Sequence, residues 1–269
     1  MRLHIFLLWI LTLIFTCIIR VPDSRAAWVY MQGGTAYSKA KSSLSSVKSS
    51  SFAAAFRYEA FDVGPVGVVF AGGGGLYGGG GSMSINVYRR VFGRNPDGLY
   101  LGLGIGGDTF KWKGRIFYEN DTQIISPDYD FNQEFKIQGF IACARVNLFE
   151  NRLAFGYERY IGSSGEWRYE IPPNLLGFPF NLIGGSLVSS IDIDDMTADR
   201  AFVQFFYYTP KKKNRKSRVF YGLTLQYARL KIPYTVDYTS ANLFTQVKTV
   251  VPETTVDNFI LFLNAGLMF

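Results

Sequence analysis

Histidine and cysteine are nearly missing from this sequence. Its 269 residues include one histidine, His4, and two cysteines, Cys17 and Cys143. His4 and Cys17 fall in the first 26 residues, which read as a removable leader. Residues 27–269 then keep one thiol, no histidine and no cysteine pair to oxidise. Ser-His-Asp catalysis and Cys/His zinc binding are thereby excluded, and no metal or other cofactor is expected. Beyond the leader there is also no long apolar run, so no helix with the roughly 20 apolar residues needed to cross a bilayer is expected. Charge of one sign is scarce as well. Without the leader, 25 basic and 20 acidic residues leave a net +5, scattered rather than gathered in a stripe, so nucleic acid is not an expected partner.

The leader itself has a charged start at Arg2 and an apolar run from Ile5 to Ile19. Arg20, Pro22 and Asp23 end that run early, and Ser24 and Ala26 supply small residues ahead of a cleavage point before Ala27. The expected organisation is a secretory signal over 1–26 and one domain over 27–269. An uncleaved anchor is the alternative. A lipid attachment at Cys17 fits less well, because Phe15 and Thr16 stand where that signal wants small residues.

What the chain does have is aromatics, 17% of residues, and a repeated alternation of period two. Leu99, Leu101, Leu103 and Ile105 oppose Gly102, Gly104, Gly106 and Asp108. Leu153, Phe155, Tyr157 and Ile161 oppose Ala154, Gly156 and Glu158. Ala201, Val203, Phe205 and Tyr207 oppose Arg200 and Gln204, with Phe202, Phe206 and Tyr208 on that second face. Strands with one apolar and one mixed face suit a soluble two-sheet sandwich or a membrane barrel. Near-neutral mean hydropathy suits a barrel, in which only alternate residues meet lipid. Loop lengths favour the barrel too. Short connections are expected near 62–65, 93–98, 150–151 and 210–216, and long ones near 38–50, 113–132, 163–196 and 231–253, with the glycine run 72–81 as a hairpin tip. The two kinds alternate, as they do when short inner turns and long outer loops lie on opposite sides of a membrane. The expected fold is therefore all-β: an antiparallel, up-and-down transmembrane barrel of about ten strands, within a range of eight to twelve.

The last strand carries a family resemblance. Phe259, Leu261, Leu263, Ala265, Leu267 and Phe269 share one face, and the chain ends on Phe269. This resembles the C-terminal recognition strand of bacterial outer-membrane β-barrels, with Phe259, Leu261, Leu263, Leu267 and Phe269 as the assembly signal. The resemblance covers about eleven residues directly and the rest of the chain in general architecture only. It implies an outer-membrane location after secretion to the periplasm, contact with outer-membrane lipid and lipopolysaccharide, and the barrel assembly machinery as a partner during biogenesis. Proteases, phospholipases and deacylases among such barrels rely on histidine, so this sequence departs from all of them.

Placing the second face inward gives Arg57, Glu59, Asp108, Glu134, Lys136, Glu158, Arg200 and Arg218 as lumen residues. Buried charges must be paired, so ion pairs plugging a narrow barrel are expected, with a solute-selecting constriction as the alternative. On 133–148 the faces conflict: Cys143 and Arg145 share a face with Phe135, Ile137 and Ile141. A bulge that switches the faces, or an Arg145 snorkelling from the lipid face at the inner rim, resolves the conflict. Arg89, beside Ile85 and Val87, is likewise expected at a rim.

Other motifs are weaker. Gly102-x-Gly104-x-x-Gly107 lies inside a strand with no helix after it, so it is not a dinucleotide loop. Asp192, Asp194, Asp195 and Asp199 follow no calcium-loop spacing and read as an acidic rim. Lys211 to Arg218 read as a solvated basic turn. The apolar stretch 171–183 is too apolar to float in water; a plug over the mouth or in the lumen is expected, with contact to a surface partner or a hydrophobic solute as the alternative, for which Leu175, Leu176, Phe178, Phe180, Leu182 and Ile183 are the binding candidates. The expected role is a non-enzymatic surface protein acting through its outer loops on a surface ligand. The alternative is a narrow, porin-like conduit for small or hydrophobic solutes.

Overall fold

A computed structural model describes residues 26–42, 46–63, 68–77, 80–94, 96–114, 117–120, 123–125, 131–171, 187–210, 217–242 and 245–269. Fifteen strands run in chain order: β1 (Ala26–Ser42), β2 (Ser46–Val63), β3 (Val68–Tyr77), β4 (Gly80–Phe92), β5 (Gly98–Gly114), β6 (Phe117–Asn120), β7 (Gln123–Ile125), β8 (Phe131–Leu148), β9 (Leu153–Ile171), β10 (Leu187–Ile193), β11 (Thr197–Tyr208), β12 (Arg218–Ile232), β13 (Thr235–Asn242), β14 (Thr245–Val251) and β15 (Thr254–Met268). Ten of them, β1 to β5, β8, β9, β11, β12 and β15, pair antiparallel in meander order. The β15–β1 and β8–β9 pairings close the ring.

The register fixes the shape. One row of paired residues runs Ala27, Ala60, Phe70, Val87, Leu103, Ala142, Arg159, Asp199, Arg229, Asp257 and back to β1 at Lys39. It returns 12 residues further along β1 than it started, 39 less 27. A stagger of that size tilts ten strands by roughly 40° from the barrel axis.

Alternation then sorts the side chains. Leu103, Ile105, Leu225, Leu261 and Leu263 point out and are exposed, Leu263 to 68%. Val219 to Tyr227 on β12 forms an apolar outer stripe of nine residues. At about 3.3 Å per residue and this tilt it spans about 20 Å of bilayer, near the ~25 Å apolar band of such barrels. Tyr207 and Tyr221 lie toward its inner edge, while Tyr37, Tyr157, Tyr227 and Phe259 mark its outer edge. These are the two aromatic girdles of a membrane-spanning barrel. The outward face of the last strand holds Phe259, Leu261, Leu263, Leu267 and Phe269, all exposed.

The outer connections differ from expectation. β1 continues to Ser42 and β2 begins at Ser46, with Ser38 opposite Ser49 and Lys39 opposite Lys48. These strands have left the membrane, so neither face is apolar and the period of two disappears from the sequence. The glycines 72–75 belong to β3 and lie in the wall rather than at a tip. Much of 163–196 is a hairpin, because β9 runs on to Ile171 and pairs with β10. In 231–253, β13 and β14 join β6 and β7 in a separate four-stranded sheet. The apolar candidates Leu175, Leu176, Phe178, Phe180, Leu182 and Ile183, the leader up to Arg25, and Lys211 to Lys216 lie outside the described residues.

The conflict on β8 is also resolved. Its odd positions, from Gln133 to Asn147, face inward along its whole length, so Phe135, Ile137, Ile141, Cys143 and Arg145 are all buried inside. Glu134 and Lys136, expected in the lumen, face outward instead and pair with Lys111 and Glu166. Arg145, left open between a face-switching bulge and a snorkel from the lipid face, points inward. The apolar residues of β8 misled because the outer part of this lumen is itself apolar. The face switch falls on β9. Gly162 and Ser163 together oppose Gly139, and Gly162 has φ 59°. This is a bulge whose left-handed residue favours glycine. Below it Glu158 and Tyr160 point inward; above it Gly165, Trp167 and Tyr169 do.

Candidate functional site

The lumen is the candidate site, and the described residues that face it are closely packed along it. At the inner end, Trp28 and Tyr30 of β1 pack with Phe206 and Tyr208 of β11 and Phe220 of β12. Their ring centroids are 5.3–6.5 Å apart, in edge and tilted contacts. These rings sit on the inward face because Arg200, Phe202, Gln204, Phe206 and Tyr208 share one parity of β11.

Above the rings lies a buried ion pair. Arg145 Nη1 donates to Glu59 Oε2 at 2.8 Å, and the two side chains are 2% and 1% exposed. Its Nε donates to Asn147 Oδ1 at 2.7 Å, and Tyr30 OH donates to Glu59 Oε1 at 2.8 Å. Arg145 Nη2 donates to Asn151 Oδ1 at 3.4 Å, so both carboxylate oxygens and all three guanidinium nitrogens are engaged, which is what makes a buried pair tolerable. Alongside it, amides and a hydroxyl interlock. Gln32 Nε2 donates to Asn264 Oδ1 at 2.9 Å, Asn264 Nδ2 to Thr224 Oγ1 at 2.8 Å, and Gln204 Nε2 to the same oxygen at 3.3 Å.

A second ion cluster follows. Arg200 Nη2 reaches both Asp108 oxygens at 2.7 and 2.8 Å, and its Nη1 reaches Glu158 Oε2 at 3.0 Å. Asn86 Nδ2 donates to the other Glu158 oxygen at 2.9 Å. Gly104 is what admits Asn86: a Cβ on Gly104 would stand 1.9 Å from Asn86 Oδ1. Arg57 lies over the Phe202 ring at 5.8 Å. Beyond this cluster the lumen turns apolar. Phe135 stacks on Trp167 at 5.8 Å, and Trp167 on Tyr169 at 4.0 Å. One cavity between Gln32, Arg57, Gly75, Ser84 and Arg200 has a volume of about 10 Å³, room for about one water.

Of the eight charged residues named from the sequence, Glu59, Asp108, Glu158 and Arg200 are deeply buried; the last three form one cluster, and Glu59 belongs to the other with Arg145. Arg57 is part-buried against Phe202. Arg218 opens β12 at the inner rim, opposite Met268. Glu134 and Lys136 are elsewhere, on the outer surface. Arg145, Asn86 and Gln32 were not named. A polar residue at an inward parity was the available signal for Asn86 and Gln32; for Arg145 that signal was masked by its apolar neighbours. The arrangement has paired acids and bases and, among the described residues, no group of three or more metal-ligating side chains.

No protein-family model and no curated protein matches the chain. Several solved structures do. The outer membrane protease OmpT of Escherichia coli is 12% identical over 92% of this chain and 97% of that one, with a TM-score of 0.47. Ail, the attachment invasion locus protein of Yersinia pestis, solved with the heparin analogue sucrose octasulfate, is 11% identical over 91% and 98%, with a TM-score of 0.36. A FadL homologue of Pseudomonas aeruginosa is 7% identical over 91% and 90%, with a TM-score of 0.33. At these scores none of them lends this chain a role. What stands on the register, the apolar outer band and the girdles is that the chain is a closed, ten-stranded antiparallel barrel with the outer surface of a membrane-spanning one.

Proposed function

We propose that this barrel is a closed, non-enzymatic anchor that holds a surface-exposed binding platform at the outer face of the membrane. The observation that supports this is the filling of the lumen by the described residues: an aromatic base, two ion clusters, an amide network and stacked aromatic rings, with a cavity of about 10 Å³ among them. Material is also spent above the bilayer. The β9–β10 hairpin and the β13–β14–β6–β7 sheet extend the outer side, where an anchor would present its binding groups. The apolar stretch 171–183 is part of that platform in this proposal.

Planar-bilayer recording of the refolded protein tests it. The expected result is an absence of steady openings. Steady ion or solute passage through the wild-type barrel would favour a narrow conduit and overturn the closed-anchor proposal.

A further inference from the structure

On the outer side one strand loses its neighbour. β10 and β11 pair with β9 in a single register: Ile193 stands opposite Gly165 and Asp199 opposite Arg159, so β10 prolongs the line of β11 upward. On the other side β12 keeps pace with β11 only as far as Lys231, opposite Thr197. Two residues further on is Pro233, which has no N–H to give to a ladder. The same register, extended, would set it against Asp195, which turns with φ 61°. Beyond this point β13 pairs with β14 and not with β10. β10 is therefore the edge of the eleven-stranded sheet, and among the described residues its ladder runs to β9 alone. β13 comes within 8 Å of it without a ladder.

An edge strand presents a row of unpaired N–H and C=O groups, and folds guard such rows with lysine or proline. β10, Leu187–Ile193, has neither. Its two faces are distinct. Ile191 and Ile193 turn toward the apolar interior, where Ile193 is buried and Ile191 packs against the core. Ser190 and Asp192 are exposed on the outward face.

Asp192 is the one charge of this edge, and nothing beside it answers it. The outward row across β8, β9 and β10 reads Lys136, Glu166, Asp192. Lys136 pairs with Glu134 and Glu166. Glu166 thus has a base on one side and a like charge on the other, which is unfavourable across a strand pair. Asp194 and Asp195 follow at the foot of the edge, both exposed. Among the described residues none of these three aspartates makes an ion pair. The bases of this region stand elsewhere: Arg168 opposite Ser190 on the closed side of β10, and Lys231 below the turn. β13, on the open side, has one acid and no base. A lone acid disfavours a second copy of the same edge and favours a strand that brings a base.

We propose that the open edge of β10 takes an extended segment of a surface partner protein as an added strand, with apolar side chains beside Ile191 and Ile193 and a lysine or arginine against Asp192. Main-chain hydrogen bonds would supply affinity, and the alternating side chains would supply choice of partner. Adding the strand parts β13 from β10, two elements that no ladder joins. This names a partner class for the platform proposed above and rests on that reading. The two are tested apart. Steady conductance with peptide binding intact removes the closed lumen and keeps the edge; a silent barrel that ignores the peptide removes the edge and keeps the anchor.

The probe is a short fluorescent peptide alternating valine and lysine, titrated onto the full barrel in a nanodisc and read by anisotropy. Two further peptides carry glutamate in place of lysine, or lysine with N-methyl groups on alternate residues. The lysine peptide binds and the other two do not. On binding, hydrogen exchange slows within Ser190 to Ile193 and not in β12. Losing a charge-assisted contact weakens binding by about tenfold, so Asp192→Asn with Asp194→Asn lowers affinity by at least about that factor. Asp192→Lys relieves Glu166 and so folds, and it turns the preference to the glutamate peptide. Glu150→Gln, on the inner side, changes nothing. Equal binding of the N-methylated peptide, an unchanged preference in Asp192→Lys, or self-association of the barrel in place of peptide binding overturns the proposal.

Discussion

Arg145 and Glu59 lie 86 residues apart in the chain and meet at 2.8 Å across the lumen, on β8 and β2. Neither strand touches the other in the wall. Each of the two residues is buried only because the other is there, so the pair ties opposite sides of the ring at a cost that depends on both partners staying.

Breaking the pair from one side is therefore expected to be severe. Arg145→Met leaves Glu59 buried with Tyr30 alone and should cost about 3–5 kcal/mol, as loss of one partner of a buried pair does. Replacing Glu59 by Gln in the same chain should recover much of that. Urea unfolding from lipid vesicles measures both. A double variant no more stable than the single one would contradict the coupling.

Arg200 holds two carboxylates together. Arg200→Ala should remove the one cation that bridges Asp108 and Glu158 here and leave a void between them. Single-channel recording is expected to show cation-selective openings in this variant and none in the wild type. A silent, normally stable variant would mean that Arg200 does not keep the lumen shut.

Asp97 braces the inner turns. Its two oxygens accept the backbone N–H groups of Glu150 and Asn151, each at 3.0 Å. Phe149, Glu150 and Asn151 all have φ near +58°, a left-handed run that aims successive N–H groups at one anion. Asp97→Ala should cost about 1–3 kcal/mol, since two charge-assisted bonds are lost. The expected sign is faster cleavage at 149–152 by a protease presented from the inner side; an unchanged cleavage rate would remove the brace from the account.

Two glycines should respond differently to alanine. Gly104→Ala collides with Asn86 Oδ1 and, at 2.6 Å, with the Ile85 carbonyl. It should cost about 1–3 kcal/mol by overpacking. Gly162→Ala meets nothing within 4 Å, and only its positive φ is penalised, by about 1 kcal/mol. Unfolding midpoints of the two variants give the order directly.

The wall was legible because lipid imposes a clean alternation. Leu99 to Ile105, Leu153 to Tyr157 and Phe259 to Phe269 carry it, and the strand number followed from it. Beyond the membrane the rule lapses. Ser46 to Ser51 form strand with no apolar face to betray them. In the lumen the rule inverts: β8 puts Phe135 and Ile141 inside, so hydrophobicity stopped marking the lipid side, Glu134 and Lys136 were assigned to the wrong face, and Arg145 was left between two. The bulge at Gly162 was invisible for a related reason. Gly162 is followed by Ser163 and Ser164, three residues without a face to compare. Asp108, Glu158 and Arg200 were found because each stands alone among small or aromatic neighbours of its own parity, and Glu59 because it follows Arg57 on one face.

The Asp97 brace has a consequence for how the chain can vary. Asp97 precedes β5 and Glu150 follows β8, so these bonds close 53 residues of chain into a ring at its inner end. Whatever β5 and β8 carry outside the cell hangs from a fastened base. Lengthening such a loop costs entropy only logarithmically, and its ends cannot drift apart as it grows. The outer segment between these two strands is thus free to change in length and sequence while the staves beneath it keep their register.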